Sequence, residues 1–266
     1  MPKWLSLVGR VFYSAGLIGI GIQHFIFADF ISVILPGWPA WIPGRSVWAY
    51  AAGAALVAAG ISMLSGFHAR TVGAITGMAF LLLVLLVDIL TQLRIWSGNG
   101  LTWADTFTAF SLSGGAWVFA LTFKDLSFRV PRPLERLMPF GRFFLPITMV
   151  VFGVEHFLYT SFVATLVPGW IPGHVFWTYF AGAALIAAGL ALIVNVQARL
   201  AALLSGIMFF LWVVLLNLPR AFADPSSGNG GEWTSVFEAL ASSGIAFMLA
   251  SGSLLDRRQE SVRRVA

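Results

Sequence analysis

Eight stretches of this chain are apolar over about 17–25 residues, the length a helix needs to cross the hydrocarbon of a bilayer, and a water-soluble fold is thereby excluded. In the first half they run from Leu7 to Phe27, Val47 to Leu64, Thr71 to Leu93 and Thr106 to Phe123. In the second they run from Arg142 to Tyr159, Phe176 to Val194, Leu200 to Leu216 and Ser235 to Leu254. Lipid offers backbone groups no partners, so a spanning segment is either a helix or a strand of a closed barrel, and runs this long are helices. The expected fold class is all-α, a polytopic membrane protein with eight transmembrane helices. Composition agrees: 59% of the 266 residues are hydrophobic and 10% charged, with a mean hydropathy of +0.87. Lys3 and Arg10 precede the first apolar run as in a secretory signal, but no small-x-small cleavage site follows it. A similar run recurs from Phe143 to Leu158, so both read as mature spanning helices.

The halves are copies of one another. GRVFYSAGLIGIGIQHFIFADFISVILPGW from Gly9 aligns with GRFFLPITMVVFGVEHFLYTSFVATLVPGW from Gly141, and IPGRSVWAYAAGAALVAAG from Ile42 with IPGHVFWTYFAGAALIAAG from Ile171. The first copy carries the extra Pro39-Ala40-Trp41. The match continues through Ala69-Arg70 against Ala198-Arg199, Ser97 to Gly100 against Ser227 to Gly230, and Trp103 against Trp233. A repeat of this length sets the architecture: two four-helix repeats, residues 1–131 and 132–266. Each repeat crosses the membrane an even number of times, so the two enter in the same direction.

Basic residues orient the chain. Thirteen of its sixteen Lys and Arg fall on one side of these spans, and Arg45, Arg94 and Arg220 on the other. The positive-inside rule places the thirteen, and both termini, in the cytoplasm of a plasma (inner) membrane protein. The net charge of +5 comes from short clusters between apolar runs, so nucleic acid is excluded as a partner and the lipid bilayer takes its place. Lys124 to Arg142 is a basic, cytoplasmic linker between the repeats, with Pro131, Pro133 and Pro139 expected to prevent a continuous helix. Small residues in the second helix of each copy, Ala51 to Ala55 and Ala181 to Ala184, favour close helix approach and a central position in each bundle. Asp29 and Ser161 are expected to N-cap short interfacial segments ending at Pro36 and Pro168.

Polar groups inside spans are costly and mark candidate sites. His24 and His156 lie about one turn from the outer ends of the first and fifth helices, with Gly21 and Gly153 three residues earlier. Either they face a ligand or each is an interfacial histidine bonded to a nearby carbonyl; duplication reproduces both readings. Gln23 and Glu155 precede them and point about 100° away. Asp88 and its counterpart Asn217 sit near the outer ends of the third and seventh helices, with Arg94 or His24 as possible partners for the carboxylate. Trp48, Tyr50, Trp177 and Tyr179 form an aromatic belt or the wall of a site for a flat ligand. Ser235-x-x-Glu238 and Thr102-x-x-Asp105 match capping boxes. A bis-histidine haem needs two imidazoles at one depth on facing helices; duplication alone explains the pair, and haem is not expected. His68 and His174 lack repeat partners and no metal site is expected. Cys is absent, which excludes disulfides, thiolate metal sites and dithiol redox chemistry by the chain itself.

The motifs GIQHF and GVEHF, the PGW and IPG turns, WAY and WTY, and GAALVAAG and GAALIAAG resemble the DoxX-like family of small four-helix membrane proteins. Leu215 to Arg220 and Glu232-Trp233-Thr234 are similar to one branch of it. The resemblance covers nearly all of each copy and implies a fused double unit. Some relatives are the membrane subunit of a thiosulfate:quinone oxidoreductase, which implies a quinone-like ligand at an outer-leaflet pocket and a soluble or membrane redox partner. Most have no assigned reaction. Many carry an acid in the second helix, in a pattern like G-x-x-E-I-x-x-G, where this chain has Leu56 and Leu185; Asp88 or Glu155 would have to replace it. The competing expectations are a small-molecule transporter and a membrane assembly factor.

Overall fold

A computed structural model describes residues 3–31, 42–95, 103–123 and 130–252. Among them every regular element is helical, in the order α1 (Lys3–Phe27), α2 (Arg45–Ser65), α3 (Ala69–Leu83), α4 (Ile89–Ile95), α5 (Ala104–Leu121), α6 (Arg132–Leu137), α7 (Phe144–Leu158), α8 (Thr160–Thr165), α9 (His174–Val194), α10 (Ala198–Trp212), α11 (Leu218–Ala223) and α12 (Ser227–Ala250). Five-residue π turns, Val84–Asp88 and Val213–Asn217, join α3 to α4 and α10 to α11. The IPG sequences end in Gly44 and Gly173 at φ 75° and 76°. An L side chain is strained there, so glycine lets the chain reverse directly into α2 and α9.

Seven helical stretches among the described residues are long and apolar enough to cross a membrane: Trp4–Phe27, Arg45–Ser65, Ala69–Leu93, Arg132–Leu158, His174–Val194, Ala198–Ala223 and Gly228–Ala250. The remaining long helix, α5, is the least lipid-like because it is the most enclosed. Every residue from Leu112 to Ala120 is buried, packed by α3, α7, α12 and the 3-10 turn Met138–Phe143. Its Ser113, Gly114 and Gly115 meet neighbouring helices, where small size counts for more than hydropathy.

Helices of the two halves interleave. α1 packs on α2 and α12, α7 on α9 and α5, α3 on α5, and α10 on α12. Tyr13, fully buried, donates its hydroxyl to the Leu112 carbonyl at 2.6 Å and ties α1 to α5. Central position therefore belongs to α5 and α12, correcting the expectation for the second helix of each copy. The small residues of α2 and α9 make a close seam along one side only, buried at Gly53 and Gly60 and at Gly182 and Gly189. Ala49, Leu185 and Leu192 are buried on the same side, while Ala51, Ala54, Ala55 and Ala58 of α2 are exposed.

Three local expectations are also corrected. Residues 132–158 run on through α6, a 3-10 turn and α7 without a break, because Pro133 sits in the first turn of α6, where its missing N–H is not needed. Pro139 likewise sits in the first positions of the tighter 3-10 turn. Ser161 is not an N-cap: α8 starts one residue earlier, after the bend at Tyr159, and Thr160 donates back to the His156 carbonyl at 2.8 Å. Ser235 and Glu238 do not form a capping box, since right-handed helix already runs from Gly231, after the left-handed residues 228–230, and Ser235 donates to the Gly231 carbonyl inside it. Thr102, the segment leading to Pro36, Ser97 to Gly100, the side chain of Arg94, and the basic residues at 124, 129 and beyond 252 lie outside the described residues.

Candidate functional site

The i to i−4 geometry of a helix puts a backbone carbonyl beside each of the two histidines. His24 is wholly buried, with Nδ1 2.8 Å from the Ile20 carbonyl; His156 is half-buried, with Nδ1 2.7 Å from the Phe152 carbonyl. A carbonyl only accepts, so Nδ1 carries the proton in both rings and Nε2 of the neutral imidazole is the acceptor. The carbonyl bond of the plainer sequence reading is therefore present, and it also fixes the direction in which each ring offers its lone pair. Nε2 of His24 is buried with no hydrogen-bond partner. The Phe30 ring meets the His24 imidazole edge-on at 6.0 Å, whereas His156 stacks on Trp212 at 6.2 Å and 21°.

Close helix approach sets both rings. A Cβ at Gly53 would stand 2.8 Å from that of His24, and one at Gly182 would stand 2.8 Å from that of His156. Each histidine thus sits on its own helix pair, α1 with α2 and α7 with α9. The two rings are held in separate surroundings and do not share a cleft.

Neighbouring candidates divide by direction. Gln23 is buried toward α12, donating to the Gly230 carbonyl at 2.9 Å and to Thr234 Oγ1 at 3.1 Å. That amide joins α1 to the N-terminal end of α12, where Gly228, Asn229 and Gly230 adopt left-handed conformations. Glu155, its aligned counterpart, is half-buried. Asn217 donates to the Ser235 carbonyl at 3.1 Å. Trp48, Tyr50, Trp177 and Tyr179 are exposed, with Tyr50 stacked on Phe25 at 5.8 Å and Tyr179 on Phe157 at 5.5 Å. These outward rings are not walls around the histidines.

Asp88 ends the first π turn, 1% exposed, with Oδ1 buried and unpartnered. His24, one of its expected partners, bonds its own helix instead. Among the described residues Asp105 of α5 lies in electrostatic reach of Asp88, and it also acts on Glu238 of α12. Sequence reading set both of these aside as helix caps, and only packing shows them gathered where the halves meet. Two further charged pairs are Arg45 with Asp29 and Arg220 with Glu232, each at 2.5 Å. Among the described residues no group of three His, Asp or Glu is placed to hold a metal ion.

A groove of about 960 Å³ lies elsewhere, between α2 and α3. Ala52, Ala55, Leu56 and Ala59 form one wall, and Val72, Thr76, Ala79 and Leu83 the other. It runs to the turn at Phe67 and His68. No sequence feature of α2 or α3 taken alone announces it.

The helices and their scarcity of interior charge define a multi-pass α-helical membrane protein. Residues 145–240, from α7 into α12, match a family model described as Domain of unknown function (DUF8561). That segment holds Glu155, His156, Asn217 and Glu238, and the description carries no activity. No curated protein and no solved structure matches the chain.

Proposed function

We propose that the chain is an eight-span protein of the plasma (inner) membrane, made of two parallel four-helix repeats with both termini cytoplasmic. On this reading it is a DoxX-like subunit of a redox process that contacts a quinone-like molecule at each of two separate places, one at His24 and one at His156. Counting α5 as the eighth span is supported by its length of 18 residues and its enclosure. The repeat reading is supported by geometry at aligned positions. Ser113 donates to the Gly77 carbonyl at 2.6 Å and Ser243 to the Gly206 carbonyl at 2.8 Å.

The observation that carries the redox reading is the shared pose of the two imidazoles, with Nδ1 bound and Nε2 left to accept. A quinol hydroxyl is a donor of the matching kind. Oxidising a quinol to the quinone releases two protons and two electrons; the imidazole Nε2 takes one proton, the second passes to water, and the electrons pass to a separate redox partner protein. The family resemblance adds an analogy. Quinone-dependent electron transfer by purified protein in lipid nanodiscs, with that partner added, is expected to fall on His24→Ala and on His156→Ala. Unchanged rates in both variants, or no quinone binding by the wild type, would remove the reading.

A second reading, cation permeation, is favoured by the buried unpartnered oxygen of Asp88, with Asp105 in electrostatic reach of both it and Glu238. Packing weighs against a wet path along the seam of the two halves. Tyr13, Leu17 and Ile20 are fully buried there, and Gly9 meets Gly244 backbone to backbone. Cation flux into proteoliposomes that is abolished by Asp88→Asn would favour this second reading over the first.

A further inference from the structure

The contact of α3 with α5 is repeated by α10 with α12, and one bond of the second copy lacks its donor in the first. Register is fixed by Ser113 donating to the Gly77 carbonyl and Ser243 to the Gly206 carbonyl. Asp88 stands eleven residues after Gly77 and Asn217 eleven after Gly206, and each closes a five-residue π turn at the same place in its helix. Across the contact, Asp105 stands eight residues before Ser113 and Ser235 eight before Ser243. In the second half the Asn217 amide donates to the Ser235 carbonyl at 3.1 Å. The same register sets the Asp88 carboxyl toward the Asp105 carbonyl, and Asp105 lies in electrostatic reach of it. A carbonyl only accepts, and so does an ionised carboxylate. Asn217 thus supplies an N–H where an ionised Asp88 would supply nothing.

Burial makes the missing donor costly. Asp88 is 1% exposed and its Oδ1 has no hydrogen-bond partner, and a carboxylate taken out of water without donors loses its hydration uncompensated. α3, α4 and α5 pack on this turn. The charged residue of α3 is Arg70, at the far end of the helix and paired with Glu135. α4 carries the neutral Gln92, and Arg94, whose side chain lies outside the described residues. α5 brings the acid Asp105, behind which Glu238 of α12 lies in electrostatic reach. Among the described residues no three acids or imidazoles are set to hold a metal ion, whereas a proton needs a single oxygen. We propose that Asp88 is a proton-binding site: its carboxyl takes up a proton, and the resulting hydroxyl donates to the Asp105 carbonyl, as the Asn217 amide donates to that of Ser235. Losing the proton would leave two acceptors face to face. A proton bound at rest requires neither a quinone nor cation flow, so Asp88 holds one whichever functional reading is right.

Infrared difference spectra of the full chain in nanodiscs test this. A protonated carboxyl has a C=O stretch above the amide and carboxylate bands, shifted downward in heavy water. Near neutral pH the wild type should show such a band that Asp88→Asn removes and Glu238→Gln leaves in place. Heavy carbon in the aspartate carboxyls should shift the same band in the unaltered chain, so the result does not depend on a variant that folds. Stability gives a second readout. The folded chain would hold one proton that the unfolded chain releases at neutral pH, so stability should fall as pH rises until the band is lost. Asp88→Asn supplies its own donor, as Asn217 does; it should keep the wild-type Tm near neutral pH and lack this part of the decline. Exchanging choline for sodium should alter neither the band nor the Tm. Absence of a band that depends on Asp88 would mean an ionised carboxylate served by water, and loss of the band in sodium would mean a metal cation in place of the proton. Either result, or a wild-type decline no steeper than that of Asp88→Asn, would overturn the proposal.

Discussion

Gly9 and Gly244 stand backbone against backbone: a Cβ built on either lies 2.6 Å from the carbonyl oxygen of the other. No side chain can yield here, because the obstacle is main chain on both sides. This contact draws α1 of the first half onto α12 of the second. Gly9→Val or Gly244→Val should therefore destabilise the protein by about 1–3 kcal/mol or more, read as a lowered Tm in detergent. A variant with wild-type Tm would mean the crossing is looser than described.

Tyr13 reaches from α1 to the Leu112 carbonyl of α5. Tyr13→Phe keeps the ring and removes the donor, leaving a buried carbonyl acceptor without that bond. The expected loss is about 0.6–2 kcal/mol, in keeping with hydrogen bonds inside membrane bundles. Denaturation in mixed micelles measures it, and no loss would show that Leu112 finds another donor.

Met208 and Trp212 stand where the first half has Ala79 and Leu83, so Met208→Ala with Trp212→Leu should carve in the second half the space that α2 and α3 leave in the first. Removing two well-packed side chains should cost about 2–5 kcal/mol, and the stacking partner of His156 goes with them. Thermal unfolding checks the cost. Stability equal to wild type would mean that the two side chains are replaceable by lipid and fill nothing.

Sidedness can be read with thiols because the chain has no Cys of its own. Gln197→Cys lies in the turn between α9 and α10, and Asp224→Cys follows α11. A membrane-impermeant maleimide applied to intact cells should label the second and not the first. Labelling of the first and not the second would reverse the orientation argued from Lys and Arg, and labelling of both would remove the span between them.

Legibility in the sequence varied with the range of the cause. The IPG turns were readable because Gly44 and Gly173 answer a local requirement for positive φ. Gln23 and His24 pointed apart as helix geometry demands, the first to α12 and the second toward α2. Ser235 and Glu238 misled because a capping box is a local pattern, while the start of α12 depends on the left-handed residues at 228–230 and on Gln23 across the interface. The outward position of α2 was hidden for a similar reason: its small residues report that something packs closely, without saying on how many sides.

Hydropathy and helix length, acting residue by residue against lipid, determined from the sequence that this is an all-helical multi-pass protein with few interior charges. The cost of polar groups inside apolar runs also singled out His24, His156 and Asp88 as worth attention. Only the tertiary structure decided which helices lie at the centre, that Asp88 shares its surroundings with Asp105 and Glu238, and that a groove opens between α2 and α3. Those features depend on shape matching between segments more than a hundred residues apart, and hydrocarbon, solvating every apolar face alike, leaves that choice to packing.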